Sequence, residues 1–372
     1  MAFSSSLFFL LAVFTIEVLS NYDDLQVKDL SPDLQRQLQY MLDDPFRDQI
    51  KTNCTTPTSP EVKYLLYTRT TPNLPIIIDP TNPHQISART KFVMVVPGWL
   101  QSPSSKKIVH LKDEYIKRYD LNLVIVDWSQ AAFNLYNLTF CDMPFVGQSI
   151  ADFICTLADQ RNLHPGVIHA IGHSLGAQVL GLTAEYLRGK CAMEIGRITG
   201  LDISGILFEK LPDSQRLDKS DAELVDIIHS DTLRGFGFWL NIGDVDFHPN
   251  CGHDQPGCPY VKKLEPDTMV SDIFCSSDRS VEYLAESVND NNLIGKSCGI
   301  CPRSCQTDII NEVYAYMGEE CRDNPKPAKR FIVPTNEKSP YGRGWGPFPV
   351  VHNSTKCVDE IGSPCLRSCK IN

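Results

Sequence analysis

Apolar and polar positions along this chain fall into blocks whose period changes from one block to the next. Lys91–Val96 (KFVMVV), Leu121–Asp127 (LNLVIVD) and residues 167–171 are short, nearly continuous apolar runs, the pattern of strands buried on both faces. Residues 62–68 and Ile195–Leu201 read as two further strands. Between them, residues 108–118, 146–158 and 175–187 have helical spacing, the last through Leu175, Val179, Leu182 and Leu187. An amphipathic helix also runs through Leu34, Leu38 and Met41, in an otherwise polar stretch. Strands interleaved with helices predict an α/β fold, a mostly parallel sheet with helices on both faces. Functional groups in such folds sit on loops beyond the carboxyl ends of the strands. From about residue 204 to 274 the pattern loosens into loops rich in Asp, Gly and Pro, and the stretch from residue 338 is rich in Gly, Pro and Cys.

One stretch joins this pattern to chemistry. Gly172-His173-Ser174-Leu175-Gly176 is a G-x-S-x-G sequence lying between a predicted strand and a predicted helix. A tight turn there strains the backbone at the serine, and glycine lets the flanking elements approach. The hydroxyl is then presented at the positive end of a helix, where a developing oxyanion is stabilised. A chance pentapeptide in a surface turn lacks that setting. Asp202, just past the strand Ile195–Leu201, stands where the acid of a Ser–acid–His order belongs; the bland reading is a strand-end turn aspartate.

Composition narrows the setting. A net charge of −10 over 372 residues argues against nucleic-acid binding and against steering to anionic membranes. Residues 7–16 (LFFLLAVFTI) are too short to span a bilayer, and Val18 and Ser20 supply small residues for cleavage. Residues 1–20 therefore read as a signal peptide, with an uncleaved anchor as the alternative, and no later stretch looks transmembrane. Fourteen cysteines suit pairing in an oxidising compartment, so Cys298-x-x-Cys301-x-x-x-Cys305 reads as disulfide-forming rather than metal-binding. Sequons at Asn53, Asn137 and Asn353 fit a secreted glycoprotein. The chain divides into the signal peptide, a polar segment 21–60, a main domain 61–344 and a Cys-containing tail 345–372.

The motifs GHSLGAQVLG, ITGLD followed by LFE, RLDKSDAELVDIIHSD, IGDVDFHPN and DQPGC occur in that order, with WSQAAFNLY after IVD and PTNEKSPYG near the end. Together they resemble the pancreatic lipase family of secreted animal lipases and phospholipases, from about residue 61 to 344. The resemblance implies an α/β-hydrolase fold and a site for lipid esters. It makes Ser174 the nucleophile and Asp202 the acid, with the backbone N–H groups of Trp99 and Leu175 as oxyanion donors. Pro97 stands where the family usually has His, and Ile203-Ser204-Gly205-Ile206 where it has Pro-Ala-Gly-Pro. It pairs Cys258 with Cys275 around PYVKKLEPDTMVSDIF, a flap able to cover an apolar cleft and open on lipid; the plain alternative is a disulfide-tied surface loop. Cys251 stands where the family usually has Gly. Asp213, Asp218 and Asp221 around Arg216 resemble a structural calcium site, and as a bare acidic cluster they are simply solvated. No other cofactor is implied. The family's C-terminal β-sandwich needs roughly 100 residues and fewer remain after the last motif, so it is expected to be absent.

The departure that matters is the base. Where the resemblance implies C-S-H-x-R, this chain has Cys275-Ser276-Ser277-Asp278-Arg279, and no histidine occurs between His253 and His352. A serine hydroxyl needs a neighbouring base to become a nucleophile near neutral pH. Losing the imidazole costs on the order of a millionfold in turnover. The expectation is a secreted pseudoenzyme that binds lipid, or a protein partner, in the retained cleft. One alternative is an active carboxylic-ester hydrolase with a base relocated to His253 or His248. His229 and His352 read as structural or surface residues, and His173 as pointing away from the elbow. A third reading is a storage or structural protein.

Overall fold

The apolar runs form the middle of one eleven-stranded sheet among the described residues. The strands are β1 Lys63–Thr68, β2 Thr71–Ile78, β3 Lys91–Val96, β4 Leu121–Asp127, β5 Ile168–His173, β6 Ile195–Leu201, β7 Ala222–Ile228, β8 Val245–Pro249, β9 Ile294–Ser297, β10 Tyr314–Tyr316 and β11 Arg330–Val333. Their order is β10-β9-β11-β8-β7-β6-β5-β3-β4-β1-β2. From β11 to β4 every neighbouring pair is parallel. The β1–β2 hairpin and the β9–β10 pair add antiparallel margins. The helices used below are α1 Pro32–Asp43, α2 Lys106–Arg118, α3 Tyr136–Arg161, α4 Leu175–Cys191 and α5 Cys275–Ser287. This computed structural model describes residues 22–43, 52, 54, 59–87, 90–232, 236–297, 313–322 and 330–345. The signal-peptide reading, Asn53, Asn353, His352, Cys298, Cys301, Cys305 and the tail beyond residue 345 lie outside them.

Alternation along the strands builds two cores. Phe92, Met94 and Val96 of β3 face α1, α3 and α4. Val93 and Val95 face the other way, onto Ile108, Leu111 and Tyr115 of α2 and Val281 and Leu284 of α5. Period-two alternation with both faces buried is why these strands read as unbroken apolar runs. The result is the expected α/β-hydrolase arrangement, a mostly parallel sheet between two helical layers. Among the described residues no helix is long and apolar enough to cross a membrane.

Three differences from the pattern have physical reasons. The "loose" region 204–274 contains β7 and β8, whose buried acids broke the apolar signal: Asp226 pairs with Arg197 at 2.8 Å and Asp246 with His229 at 2.8 Å. Helix α3 begins ten residues earlier than its apolar spacing indicated and runs through Pro144. Strand β2 carries Pro72 and Pro75, which an outermost strand tolerates because its free edge needs no donor. The polar N-terminal segment is also tied in: Leu25, Val27, Leu30, Leu34, Leu38 and Met41 all belong to the larger core. Disulfides join Cys54 to Cys141, Cys155 to Cys191 and Cys258 to Cys275, and Cys251 is disulfide-bonded as well. Leu38 is fully buried. Leu38→Ala should therefore lower stability by about 2–5 kcal/mol, read as a shift of the denaturation midpoint; a loss under about 0.5 kcal/mol would show the segment is not part of the core.

Candidate active site

Strand β5 ends at His173, α4 begins at Leu175, and Ser174 between them has φ 52° and ψ −119°. That left-handed conformation is costly for a non-glycine residue and is held by close packing on both sides. A Cβ on Gly172 would stand 2.4 Å from Ala177 Cα, and one on Gly176 would stand 2.1 Å from the Val96 carbonyl oxygen. The Ser174 N–H donates to Leu201 O at 2.9 Å, fixing the turn to the end of β6. Its hydroxyl is half-buried and has no hydrogen-bond partner among the described residues. The backbone N–H groups of Trp99 and Leu175 are likewise without partners there.

Asp202 follows β6 at φ 40° and is buried. Its Oδ1 accepts the backbone N–H groups of Ser230 and Asp231 at 2.9 and 2.8 Å. Oδ2 is enclosed and has no close hydrogen bond among the described residues. Ser277, in the first turn of α5, is buried, and its Oγ stands 3.2 Å from His173 Nε2. The direction of that bond can be derived. Gln101 Oε1 accepts the Gly98 N–H at 2.8 Å, and Gln101 Nε2 donates to Asp278 Oδ1 at 3.1 Å. Backbone donor and carboxylate together orient the amide, so its oxygen faces His173 Nδ1 at 2.8 Å. Nδ1 must then carry the ring proton, and Nε2 of the neutral ring accepts. The Ser277 hydroxyl thus has an acceptor at His173 Nε2, and it also lies near the Asp202 carboxylate. The His173 ring bonds Gln101 and Ser277 rather than Ser174.

The other histidines are held elsewhere. His229 Nε2 meets Asp246 Oδ1 at 2.8 Å and its Nδ1 meets Phe238 O at 2.9 Å. His248 stacks on His229 with centroids 4.5 Å apart and bonds Asn241 at 3.0 Å. His253 approaches Thr232 Oγ1 at 3.4 Å. None of the three bonds Ser174.

Apolar groups gather over the elbow. Trp99 makes edge contacts with Tyr136 at 5.1 Å and Phe274 at 6.1 Å, and Phe274 meets Phe236 at 5.4 Å. Phe274 comes from the Cys258–Cys275 loop. In that loop Val270 and Ile273 are buried, Val261, Leu264 and Met269 half-buried, and Lys262, Lys263, Glu265 and Asp267 exposed. The sequon residue Asn137 is half-buried in the first turn of α3 and accepts Gln37 Nε2 at 3.1 Å, while Thr139 donates to Ala131 O at 2.8 Å. Asp218 and Asp221 lie together, with Asp221 taking the Asp218 N–H at 2.9 Å and Arg188 at 3.0 Å. Asp213 turns outward onto Arg216 instead. Among the described residues no three His, Cys, Asp or Glu side chains converge on a metal-sized point.

A family model described as Lipase matches residues 39–341. Pancreatic lipase-related protein 2 of Myocastor coypus is 32% identical over 268 residues, covering 65% of this chain and 55% of its own. Pancreatic triacylglycerol lipase of the same species is 30% identical over 299 residues, 76% of this chain and 64% of its own. Inactive pancreatic lipase-related protein 1 of Canis lupus familiaris is 28% identical over 310 residues, 76% of this chain and 63% of its own. The chain thus spans a little over half the length of the curated relatives it matches.

Burial sets the protonation of the site. It pushes the His173 imidazole down to about 4, aided by the Lys107 ammonium and opposed by the Ser277 backbone. Burial pushes the Asp202 carboxyl up, against the nearby Ser277 hydroxyl and the two backbone N–H donors. His173 is thus neutral in the fold but takes a proton near pH 6.5 when unfolded. Its contribution to stability is complete above pH 6.5 and drains away as pH falls towards 4, by at most about 3 kcal/mol. The stability gap between the parent and His173→Gln, measured by denaturant titration, should narrow over that window; a gap independent of pH would contradict the assignment.

Proposed function

The chain belongs to the lipase family, and on that premise we propose an exported lipase scaffold that binds lipid esters without hydrolysing them. The observation that carries the reading is that no imidazole among the described residues bonds Ser174, while Ser277 Oγ stands 3.2 Å from His173 Nε2. A serine hydroxyl without a base is a poor nucleophile near neutral pH. The resulting deficit is on the order of a millionfold by analogy with triad deletions. Asp202 has no ring to orient, and its free Oδ2 is a buried polar group that costs about 1–3 kcal/mol.

The rest of the site favours retained binding. The aromatic cluster of Trp99, Tyr136, Phe236 and Phe274 suits an acyl chain, and the N–H groups of Trp99 and Leu175 can receive an ester carbonyl. The Cys258–Cys275 loop would act as the cover over this cleft. The name of the dog relative contains the word inactive, which is consistent with loss of chemistry on this scaffold. Export is supported by the N-terminal apolar run and by the disulfides, and glycans at Asn53, Asn137 and Asn353 belong to the same proposal.

The test is hydrolysis of a short-chain p-nitrophenyl ester, with saturable binding of a fluorescent long-chain ester measured beside it. The parent protein should bind the long-chain probe and hydrolyse the short one at the blank rate. Ser277→His should raise turnover by at least about a hundredfold, the lower range for a positioned acid–base group. Rapid turnover by the parent, abolished in Ser174→Ala, would overturn the proposal. An inactive Ser277→His would place further losses in the Pro97 and Ile203 loops.

A further inference from the structure

The segment that looked polar and peripheral is bound to the loop over the site. Residues 25–28 run antiparallel to residues 266–270. Val27 N donates to Thr268 O, Lys28 N to Pro266 O and Val270 N to Leu25 O, each at 2.9 Å. Gln26 and Met269 form a bridge pair. Lys28 Nζ lies 2.7 Å from Asp267 Oδ1, and from α1 the Gln39 Oε1 accepts the Leu264 N–H at 2.9 Å.

The other side of the segment is anchored to the body. Asp24 pairs with Lys106 at the start of α2 at 2.6 Å, and Gln37 Oε1 accepts the Tyr136 N–H at the start of α3 at 2.7 Å. Leu25, Val27 and Leu30 are buried with α1 in the core. The disulfide fixes both ends of the loop, so its greatest excursion must come from its middle. Residues 264–268 are that middle, and they are what the segment holds.

We propose that residues 22–43 are a latch that keeps the 259–274 loop closed over Trp99 and the elbow, so that lipid enters the cleft only when the 25–28 pairing releases. This rests on the lipid-binding reading for its purpose, and on the pairing of residues 25–28 and Gln39 with the loop for its mechanics. Three backbone bonds, two side chain-to-backbone bonds, the Lys28–Asp267 ion pair and the buried side chains of Val270 and Ile273 must yield together for the loop to swing out. Such cooperative local opening is rare while the segment is docked. Release would expose Phe274 and uncover the Trp99 edge in one step.

Hydrogen exchange of peptides from residues 259–274 in the full chain tests the latch without any lipid. Val27→Pro, which removes the N–H that meets Thr268, combined with Lys28→Glu, should speed exchange there at least tenfold while α4 stays protected. In the opposite direction, Gln26→Cys with Met269→Cys should form a cross-link. The pair is flanked by, rather than joined by, its two backbone bonds, the close arrangement of an antiparallel ladder that suits a disulfide. The cross-linked protein should exchange more slowly than the parent in this loop and lose binding to phosphatidylcholine vesicles. Exchange in 259–274 unchanged in both variants would overturn the latch, whatever the vesicles show. Exchange that responds in both variants without any vesicle binding by the parent would keep the latch and reject lipid binding.

Discussion

The Ser277 hydroxyl faces Nε2 of a neutral His173, and the arrangement around it follows from how that ring is held. The backbone N–H of Gly98 and the carboxylate of Asp278 orient the Gln101 amide; the amide fixes the tautomer of His173; the tautomer leaves Nε2 as an acceptor for Ser277. The first step is imposed by a group that cannot reverse its role, since a backbone N–H only donates. Ser277 has no basicity to offer Ser174. The elbow has a strained turn and unpartnered N–H groups near the buried Asp202, and among the described residues no imidazole bonds Ser174.

Trp99, Tyr136, Phe236 and Phe274 form an aromatic cluster beside that point. The parallel strands end together, so the Pro97–Gln101 turn, the elbow and Asp202 are brought side by side from β3, β5 and β6. Phe274 reaches the same place because the Cys258–Cys275 bond ties its loop to the first residue of α5. The N-terminal segment then closes the assembly from outside, giving its apolar side to the core and its backbone to the loop. The proposed closure and the proposed loss of chemistry have separate origins: the first in backbone pairing at residues 25–28, the second in one side chain of α5.

Much of this was legible in the residues because the decisive signals are local. Strands buried on two faces read as apolar runs, and a glycine-bounded serine between strand and helix reads as an elbow. The serine at position 277 was legible only against the family pattern. What was not legible depends on contacts between distant segments. Asp226 and Asp246 look like loop residues until Arg197 and His229 are placed beside them. Leu25, Val27 and Leu30 are too sparse in an acidic stretch to mark a buried strap. Gln101 carries no signal at all in the sequence, since its importance comes from facing Gly98, His173 and Asp278 at once.

The most direct measurement is a long-range proton–nitrogen correlation spectrum of the imidazoles, followed from pH 8 to pH 5 in the parent and in Ser174→Ala. The account expects His173 as a neutral ring protonated on Nδ1 throughout, and no imidazole whose titration changes when the Ser174 hydroxyl is removed. An imidazole that titrates near neutrality and shifts its titration in Ser174→Ala would reveal a base at the elbow and contradict the central claim.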